Sequence, residues 1–194
     1  MEGEYNCRRA RRRARRQLQH KNRYGWIPDS VDNRDYKFEH IPRTAPLAAT
    51  FTPVDLRSNP LHPAVLDQGN LGSCTAFGTT YITHFVRDKL NKTPHFVPST
   101  LFTYYVTRTI EGTTNQDSGA QVRNAMKSVG QYGMVDESLW PYDITKFKIN
   151  PPQNVYTAAA AHKSINYFRI NNGDIQQMQQ CLADGYPFVF GFTV

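Results

Sequence analysis

Residues 67–78 read DQGNLGSCTAFG, and this stretch carries the clearest functional signal in the chain. Glycine and asparagine at positions 69, 70 and 72 favour a turn, and Ser73 is a residue type that often caps a helix. Apolar residues then recur at helical spacing from Ala76 to Val86, so we predict a helix that begins close to Cys74. A thiol attacks a carbonyl carbon as the thiolate, and the positive end of a helix favours that anion. Cys74 is therefore a candidate nucleophile.

Cys74 and Gln68 together resemble the nucleophile motif of papain-like cysteine proteases, in which a glutamine stands six residues before the cysteine. The resemblance implies that the Gln68 side-chain amide and the backbone N–H of Cys74 donate to the oxyanion. Donors of this kind contribute about 3 to 4 kcal/mol each in acyl-transfer enzymes. The alternative for Cys74 is a structural role, since free cysteine often behaves as a small hydrophobe.

Further blocks extend the resemblance over residues 52–194. The motif Asp117-Ser118-Gly119 is similar to the glycine-bearing strip on which the family binds peptide backbone, which makes these three residues implied substrate-binding residues. The stretch from Gly133 to Tyr142 resembles another family block, and the last segment resembles the helix and barrel strand that follow. The pattern is most similar to divergent members from bacteria and large DNA viruses.

The resemblance implies an α+β protein with the papain-like cysteine proteinase fold, as its helical half plus the first strands of the barrel half. We predict helices near 99–110 and 119–132, with Ser99 and Ser118 at their starts and Gly130 and Gly133 ending the second. A last helix is predicted to contain Ile175 and Leu182, and a strand is predicted over 187–192.

The general base of the family is expected beyond this sequence. Papain-type enzymes place their histidine and its orienting asparagine about 130 to 150 residues after the cysteine, which makes the C-terminal part of the domain absent from a chain ending at Val194. None of the six histidines stands at that position. His84 is ten residues beyond Cys74 on the same predicted helix, and ten residues of helix are about 15 Å long. We expect solvated or packing roles for the histidines, no metal site and no cofactor.

Two positions depart from the family pattern. Thr75 stands where the family usually has tryptophan, and Leu71 stands where most secreted members have half of a disulfide. With only three cysteines in the chain, we expect no disulfide framework. No run of 18 apolar residues predicts a membrane span, and the start has no apolar signal-peptide core. We therefore expect an intracellular or virion-associated protein rather than a secreted one.

The positive charge is concentrated at the start of the chain. Residues 1–23 hold nine basic and two acidic side chains, so they carry the whole formal net charge of +7. The series of arginines from Arg8 to Arg16 predicts a disordered basic arm that binds an anionic partner, either nucleic acid or a membrane surface. A solvated, cleavable leader is the alternative.

Residues 24–51 form a lead-in between the basic arm and the peptidase-like domain over 52–194. Aromatic residues such as Trp26, Tyr36 and Phe38 predict that this segment docks on the folded domain. By analogy with the family it is a pro-segment that covers the active-site cleft, and packing on the outer face of the domain is the alternative.

Three functions remain open from the sequence. The first is a cysteine-type endopeptidase that acts on a protein or peptide substrate, with Cys74 as the nucleophile. The second is a non-catalytic binding or structural protein that keeps the papain-like fold. The third is a nucleic-acid or particle-associated protein that acts mainly through its basic arm.

Overall fold

The structure is a computed structural model that describes residues 24–42, 52–163 and 166–193. The basic arm at residues 1–23 and residues 43–51 of the lead-in lie outside the described residues, so their predicted roles stay predictions. Two short strands and five α-helices form the described part, together with single 3-10 turns. They are β1 (Trp26–Ile27), α1 (Cys74–Lys89), α2 (Thr100–Glu111), β2 (Ala120–Gln121), α3 (Val122–Tyr132), α4 (Gln153–Ala160) and α5 (Ile175–Ala183).

Helix α2 lies at the centre of the core, between α1 and α3. Leu101 and Tyr104 on one side of α2 belong to one cluster of buried residues, whereas Phe102 and Val106 belong to another. A helix with buried apolar residues on opposite sides is enclosed by its neighbours. The first cluster also contains Leu71, Ala76 and Ala120, so the core itself joins the segment around Cys74 to β2.

The start of α2 is as predicted, because Ser99 accepts a hydrogen bond from the backbone N–H of Phe102 at 3.1 Å. The predicted start of α3 is wrong. Ser118 does not cap this helix, since its hydroxyl donates to Thr113 and to the carbonyl of Gly119. The helix begins only at Val122 because the two preceding residues pair with β1.

Two glycines are predicted to end α3, and only one of them does. Gly130 lies inside the helix, so this part of the prediction is wrong. Gly133 is the C-terminal cap, with a φ of +87° that favours glycine. A Cβ atom on Gly133 would also lie 1.9 Å from the carbonyl oxygen of Ala159, which leaves no room for a side chain.

The strand predicted over 187–192 is not formed. These residues have no regular secondary structure, and a strand exists only where its backbone groups pair with a neighbour. Phe190 and Phe192 are exposed there. The two-stranded sheet of the described residues joins distant parts of the chain, because β1 in the lead-in runs parallel to β2.

Arg108 in α2 is fully buried and organises the loop that follows the helix. Its guanidinium donates to the carbonyls of Thr114 and Gln116 at 2.8 and 3.0 Å, and also to the carbonyl of Phe147. It stacks over the Tyr104 ring, 4.1 Å from the ring centroid. A planar fork of donors suits this set of carbonyls, and a single ammonium group does not.

We therefore expect Arg108→Lys to lower the free energy of unfolding by about 3 kcal/mol, because it leaves buried carbonyls without donors. Urea unfolding followed by circular dichroism measures the change. Arg57→Lys is the matched control, since Arg57 is an exposed arginine paired with Asp55, and it should leave the unfolding midpoint unchanged. Equal midpoints for the two variants would show that the guanidinium does not hold this loop.

Candidate active site

Cys74 is the first residue of α1, as predicted, and its side chain is a half-buried free thiol. The sulfur accepts a hydrogen bond from the backbone N–H of Gly25 at 3.4 Å. The thiol at the helix N-terminus therefore faces the main chain of the lead-in.

The turn before Cys74 is held by Tyr142. The Tyr142 hydroxyl donates to the backbone carbonyl of Gln68 at 2.9 Å and accepts from the hydroxyl of the buried Ser73 at 2.6 Å. Burial raises the pKa of Tyr142 to about 12, so its phenol stays protonated and can donate. Ser73 occupies the cap position of α1, but its side chain makes no cap bond, so that part of the prediction is wrong.

The side chain of Gln68 points into the same turn. Its amide nitrogen donates to the carbonyl of Leu71 at 2.9 Å, which fixes the orientation of this amide, six residues before Cys74. This bond uses one of the two N–H groups that an amide nitrogen carries.

The predicted strip lies next to this turn, and its side chains bind inside the protein. The carboxylate of Asp117 accepts the backbone N–H of Gly72 and the hydroxyl of Tyr104, the latter at 2.6 Å. Gly119 has a φ of +76°, and a Cβ atom there would lie 2.0 Å from the carbonyl oxygen of Gly25. The strip therefore offers backbone, and not side chains, to the segment that lies over it.

Thr75, which replaces the tryptophan of the family pattern, ties α1 to β2. Its buried hydroxyl donates to the carbonyl of Ala120 at 3.0 Å. The substitution therefore adds a polar link between the nucleophile helix and the strip.

Gly25 of the lead-in is buried between the turn and the strip. Its carbonyl accepts the backbone N–H of Ala120 at 2.7 Å, and β1 continues from it along β2. A Cβ atom on Gly25 would lie 1.8 Å from the carbonyl oxygen of Gly72. The next residue, Trp26, packs over Gly191, where a Cβ atom would lie 2.1 Å from the indole ring. The turn before Cys74 and the strip at residues 117–119 thus form the two walls of a groove beside the thiol, and the lead-in lies in this groove.

A cluster of ion pairs fastens the lead-in farther along. Arg123 of α3 binds the carboxylates of Asp32 and Asp35, and Arg169 binds those of Asp35 and Asp29. The Asp35 carboxylate is almost completely buried between the two arginines. Arg34 and Arg123 hold the pKa of the Asp32 carboxyl well below its usual range, so it stays ionised under neutral and mildly acidic conditions.

The histidines of the described residues take no part in this arrangement. Among the described residues, no histidine ring forms a hydrogen bond with the sulfur of Cys74. The rings of four histidines pack or bind elsewhere: His62 on Tyr81, His84 and His95 on Asp88, and His162 on Phe96. Within the same residues no group of acidic, histidine and cysteine side chains is arranged to hold a metal ion. None of their helices has the length and apolar character needed to cross a membrane.

Sequence reasoning missed four residues that shape the site. They are Tyr104, Tyr142, Arg123 and Arg169. The last three act on partners far away in the chain, such as Asp29 and Arg123 at a separation of 94 residues, whereas Tyr104 binds Asp117, 13 residues further on. The recurrence of aspartate at positions 29, 32 and 35 was the available signal, and it indicates an acidic face on the lead-in but not the arginines that meet it.

Comparisons with known proteins agree on the family. An uncharacterized peptidase C1-like protein of Acanthamoeba polyphaga mimivirus is 36% identical over 190 residues, which cover 88% of this chain and 61% of the relative. Xylellain, a cysteine protease from Xylella fastidiosa, superposes with a TM-score of 0.73 at 36% identity, over 85% of this chain and 64% of its own. No protein-family model matches the chain.

A more distant structure supports the fold. Digestive procathepsin L 3 of the Tenebrio molitor larval midgut superposes with a TM-score of 0.60 at 21% identity, over 87% of this chain and 50% of its own. The chain spans less than two thirds of the length of each of these three proteins. Over the part that it shares with them, the chain is similar to papain-like C1 cysteine proteases and has the papain-like fold.

Proposed function

We propose that this chain carries the nucleophile of a cysteine endopeptidase. The observation that supports this most directly is the contact between a free thiol at a helix N-terminus and an extended main chain that pairs with β2, directly after Gly119. A groove that holds one extended segment beside the thiol through backbone hydrogen bonds can hold the backbone of a substrate in the same way.

In the proposed reaction the Cys74 thiolate attacks the carbonyl carbon of a substrate peptide bond. The negative charge that develops on the carbonyl oxygen is stabilised by the backbone N–H of Cys74 and by the amide of Gln68, which its bond to Leu71 orients. The amine leaves with a proton, and water hydrolyses the thioester and restores the thiol. The backbone of Gly119 holds the substrate.

This cycle needs a base that takes the thiol proton and later donates one to the leaving amine. The described residues place no histidine on the thiol. The proposal therefore assigns the base to a histidine beyond them, where the family resemblance puts it, about 130 residues or more after the nucleophile.

The second part of the proposal is that the lead-in covers the active site without being cleaved. The sulfur faces the N–H of the peptide bond between Tyr24 and Gly25, so it lies near the plane of that bond. Attack on its carbonyl carbon must come from above the plane. The carbonyl of Gly25 is directed to Ala120, so it does not face the thiol either. The lead-in occupies the groove in a geometry that does not react.

The alternative is a papain-like protein without catalysis, which uses the groove only for binding. It is favoured by the absence of a histidine at the thiol among the described residues. Failure of a peptidyl epoxysuccinyl reagent to modify Cys74, even with the lead-in displaced, would support it over the endopeptidase.

Peptide hydrolysis by the whole encoded protein tests the catalytic roles. We expect Cys74→Ser to abolish turnover of a fluorogenic peptide and Gln68→Ala to lower kcat by about 100-fold with little change in KM, because an oxyanion donor acts mainly in the transition state. Gln131→Ala, at an exposed glutamine, is the matched control and should keep full activity. An unchanged kcat in Gln68→Ala would show that Gln68 does not stabilise the transition state.

Gly25→Ala tests whether the lead-in covers the thiol. The added methyl collides with the backbone of Gly72, so the lead-in should leave the groove while the groove itself stays unaltered. A docking cost of only about 1.4 kcal/mol changes the open population tenfold, and we expect iodoacetamide to modify Cys74 at least about tenfold faster. Mass mapping after timed quenching gives the rate.

Gly173→Ala is the control for that measurement, since a Cβ atom at Gly173 makes only ordinary contact. Its Cys74 should react at the rate of the unaltered chain. If Gly25→Ala reacts no faster than this control, the lead-in does not protect the thiol.

Arg123→Gln tests the ionic fastening. It removes two ion pairs to the lead-in, and we expect Cys74 to react about three to ten times faster, since ion pairs of this size shift a docking equilibrium modestly. Added salt should increase the rate of Cys74 modification more in the unaltered chain than in this variant. The remote Arg57→Gln variant, which loses an exposed pair with Asp55, should behave as the unaltered chain in both respects. The same salt response in all three chains would exclude an ionic fastening.

A further inference from the structure

One continuous chain of hydrogen bonds crosses the site below the groove. The backbone N–H of Gly119 donates to the Tyr104 hydroxyl at 3.2 Å, and this hydroxyl donates to the Asp117 carboxylate at 2.6 Å. The same carboxylate accepts the backbone N–H of Gly72 at 3.0 Å. Two side chains thereby join the turn that precedes the nucleophile to the strip that holds peptide backbone.

The direction of these bonds is fixed by chemistry. An ionised carboxylate only accepts hydrogen bonds, and a phenol has one proton to donate. The Tyr104 hydroxyl donates this proton to the Asp117 carboxylate, and its oxygen accepts the backbone N–H of Gly119. Burial and the bond to Asp117 raise the pKa of Tyr104, which keeps the phenol protonated.

Arg108 gives this pair a rigid support. It is buried, it stacks over the Tyr104 ring, and it holds the carbonyls of Thr114 and Gln116 in the loop that leads directly to Asp117. These contacts hold the segment that carries the Asp117 carboxylate against the core.

A non-covalent link is needed here because no disulfide joins the two sides. Leu71 stands where secreted members of the family have half of a disulfide, and Cys74 in the same turn is a free thiol. The bond from Thr75 to Ala120 ties the start of α1 to β2. The bonds of Asp117 and Tyr104 tie the preceding turn to Gly119.

We propose that Asp117 is a positioning residue that, through Tyr104, sets the spacing between the nucleophile turn and the Gly119 strip. With this spacing, one extended peptide can bind the strip and present a carbonyl to the thiol at the same time. The inference rests on the proposed function, because this spacing matters only if one peptide is bound at the Gly119 strip and at the Cys74 thiol together. It assigns the side chain of Asp117 to the protein scaffold and not to the substrate.

The test compares two reagents on Cys74 in the whole encoded protein carrying Gly25→Ala. Iodoacetamide reports only on the thiol, whereas a peptidyl epoxysuccinyl reagent must also bind the strip. We expect Asp117→Asn to slow the peptidyl reagent about 10- to 100-fold, the penalty of a small misplacement of reacting groups. The rate with iodoacetamide should stay within about twofold, since the helix N-terminus at the thiol is unchanged. Tyr104→Phe keeps the bond from Gly72 to Asp117, so its rate with the peptidyl reagent should lie between those of the parent and of Asp117→Asn.

Asp174→Asn is the matched control, because Asp174 also accepts one backbone N–H and one side-chain donor, but at the start of α5. It should leave the ratio of the two rates unchanged. An unchanged ratio in Asp117→Asn, or an equal loss with both reagents, would overturn the proposal and leave Asp117 a purely structural residue.

Amide signals separate a failure of this inference from a failure of the proposed function. In the 15N-labelled full chain, Asp117→Asn should shift the amide resonances of both Gly72 and Gly119, and Tyr104→Phe should shift mainly that of Gly119. Unmoved resonances would overturn the link itself. If the resonances move but the peptidyl reagent fails already in the Gly25→Ala parent, the peptidase proposal fails, and the positioning role fails with it.

Discussion

The constraint on which the site depends is the close approach of three backbone segments at Gly25, Gly72 and Gly119. A methyl group on Gly25 or Gly119 would lie about 2 Å or less from a carbonyl oxygen of a neighbouring segment. Because the contacts are between main chains, the groove accepts an extended peptide through its N–H and C=O groups. The side chains around the groove set the distance between its two walls and hold the lead-in in place.

The walls are joined by polar side chains that the core supports. The buried cluster that contains Leu71, Ala76 and Ala120 brings the nucleophile segment and β2 together, and the hydrogen bonds of Thr75, Asp117 and Tyr104 then fix their spacing. Apolar burial gives the association its stability, whereas directional bonds give it a defined geometry. A spacing held this way does not depend on the redox state of the surroundings.

The lead-in uses two kinds of contact with different reach. Near the thiol it pairs backbone to backbone, and farther along its aspartates bind Arg123 and Arg169. The backbone contacts are nearly independent of sequence, so the part of the docking that depends on the side chains of this segment lies in its ion pairs and in the packing of Trp26 over Gly191. The segment acts as an intramolecular ligand whose effective concentration is set by its covalent attachment.

Sequence patterns predicted the features that depend on neighbours in the chain. The start of α1 at Cys74, the cap of α2 at Ser99 and the end of α3 at Gly133 all follow from turn formers, capping residues and helical spacing within a few residues. The inward roles of Ser73 and Asp117 could not be predicted, because their partners are 69 and 45 residues away. The strand predicted over 187–192 failed for a related reason, since apolar character gives no pairing partner.

The position of Trp26 has a spectroscopic consequence. The chain has two tryptophans. Trp140 packs against both clusters of the core, so its surroundings stay constant as long as the domain is folded. Trp26 lies over Gly191 only while the lead-in is docked, and its indole passes into water when the segment leaves. The intrinsic fluorescence of the protein thus contains one fixed and one variable emitter, and the occupancy of the groove can be followed in real time without an added label.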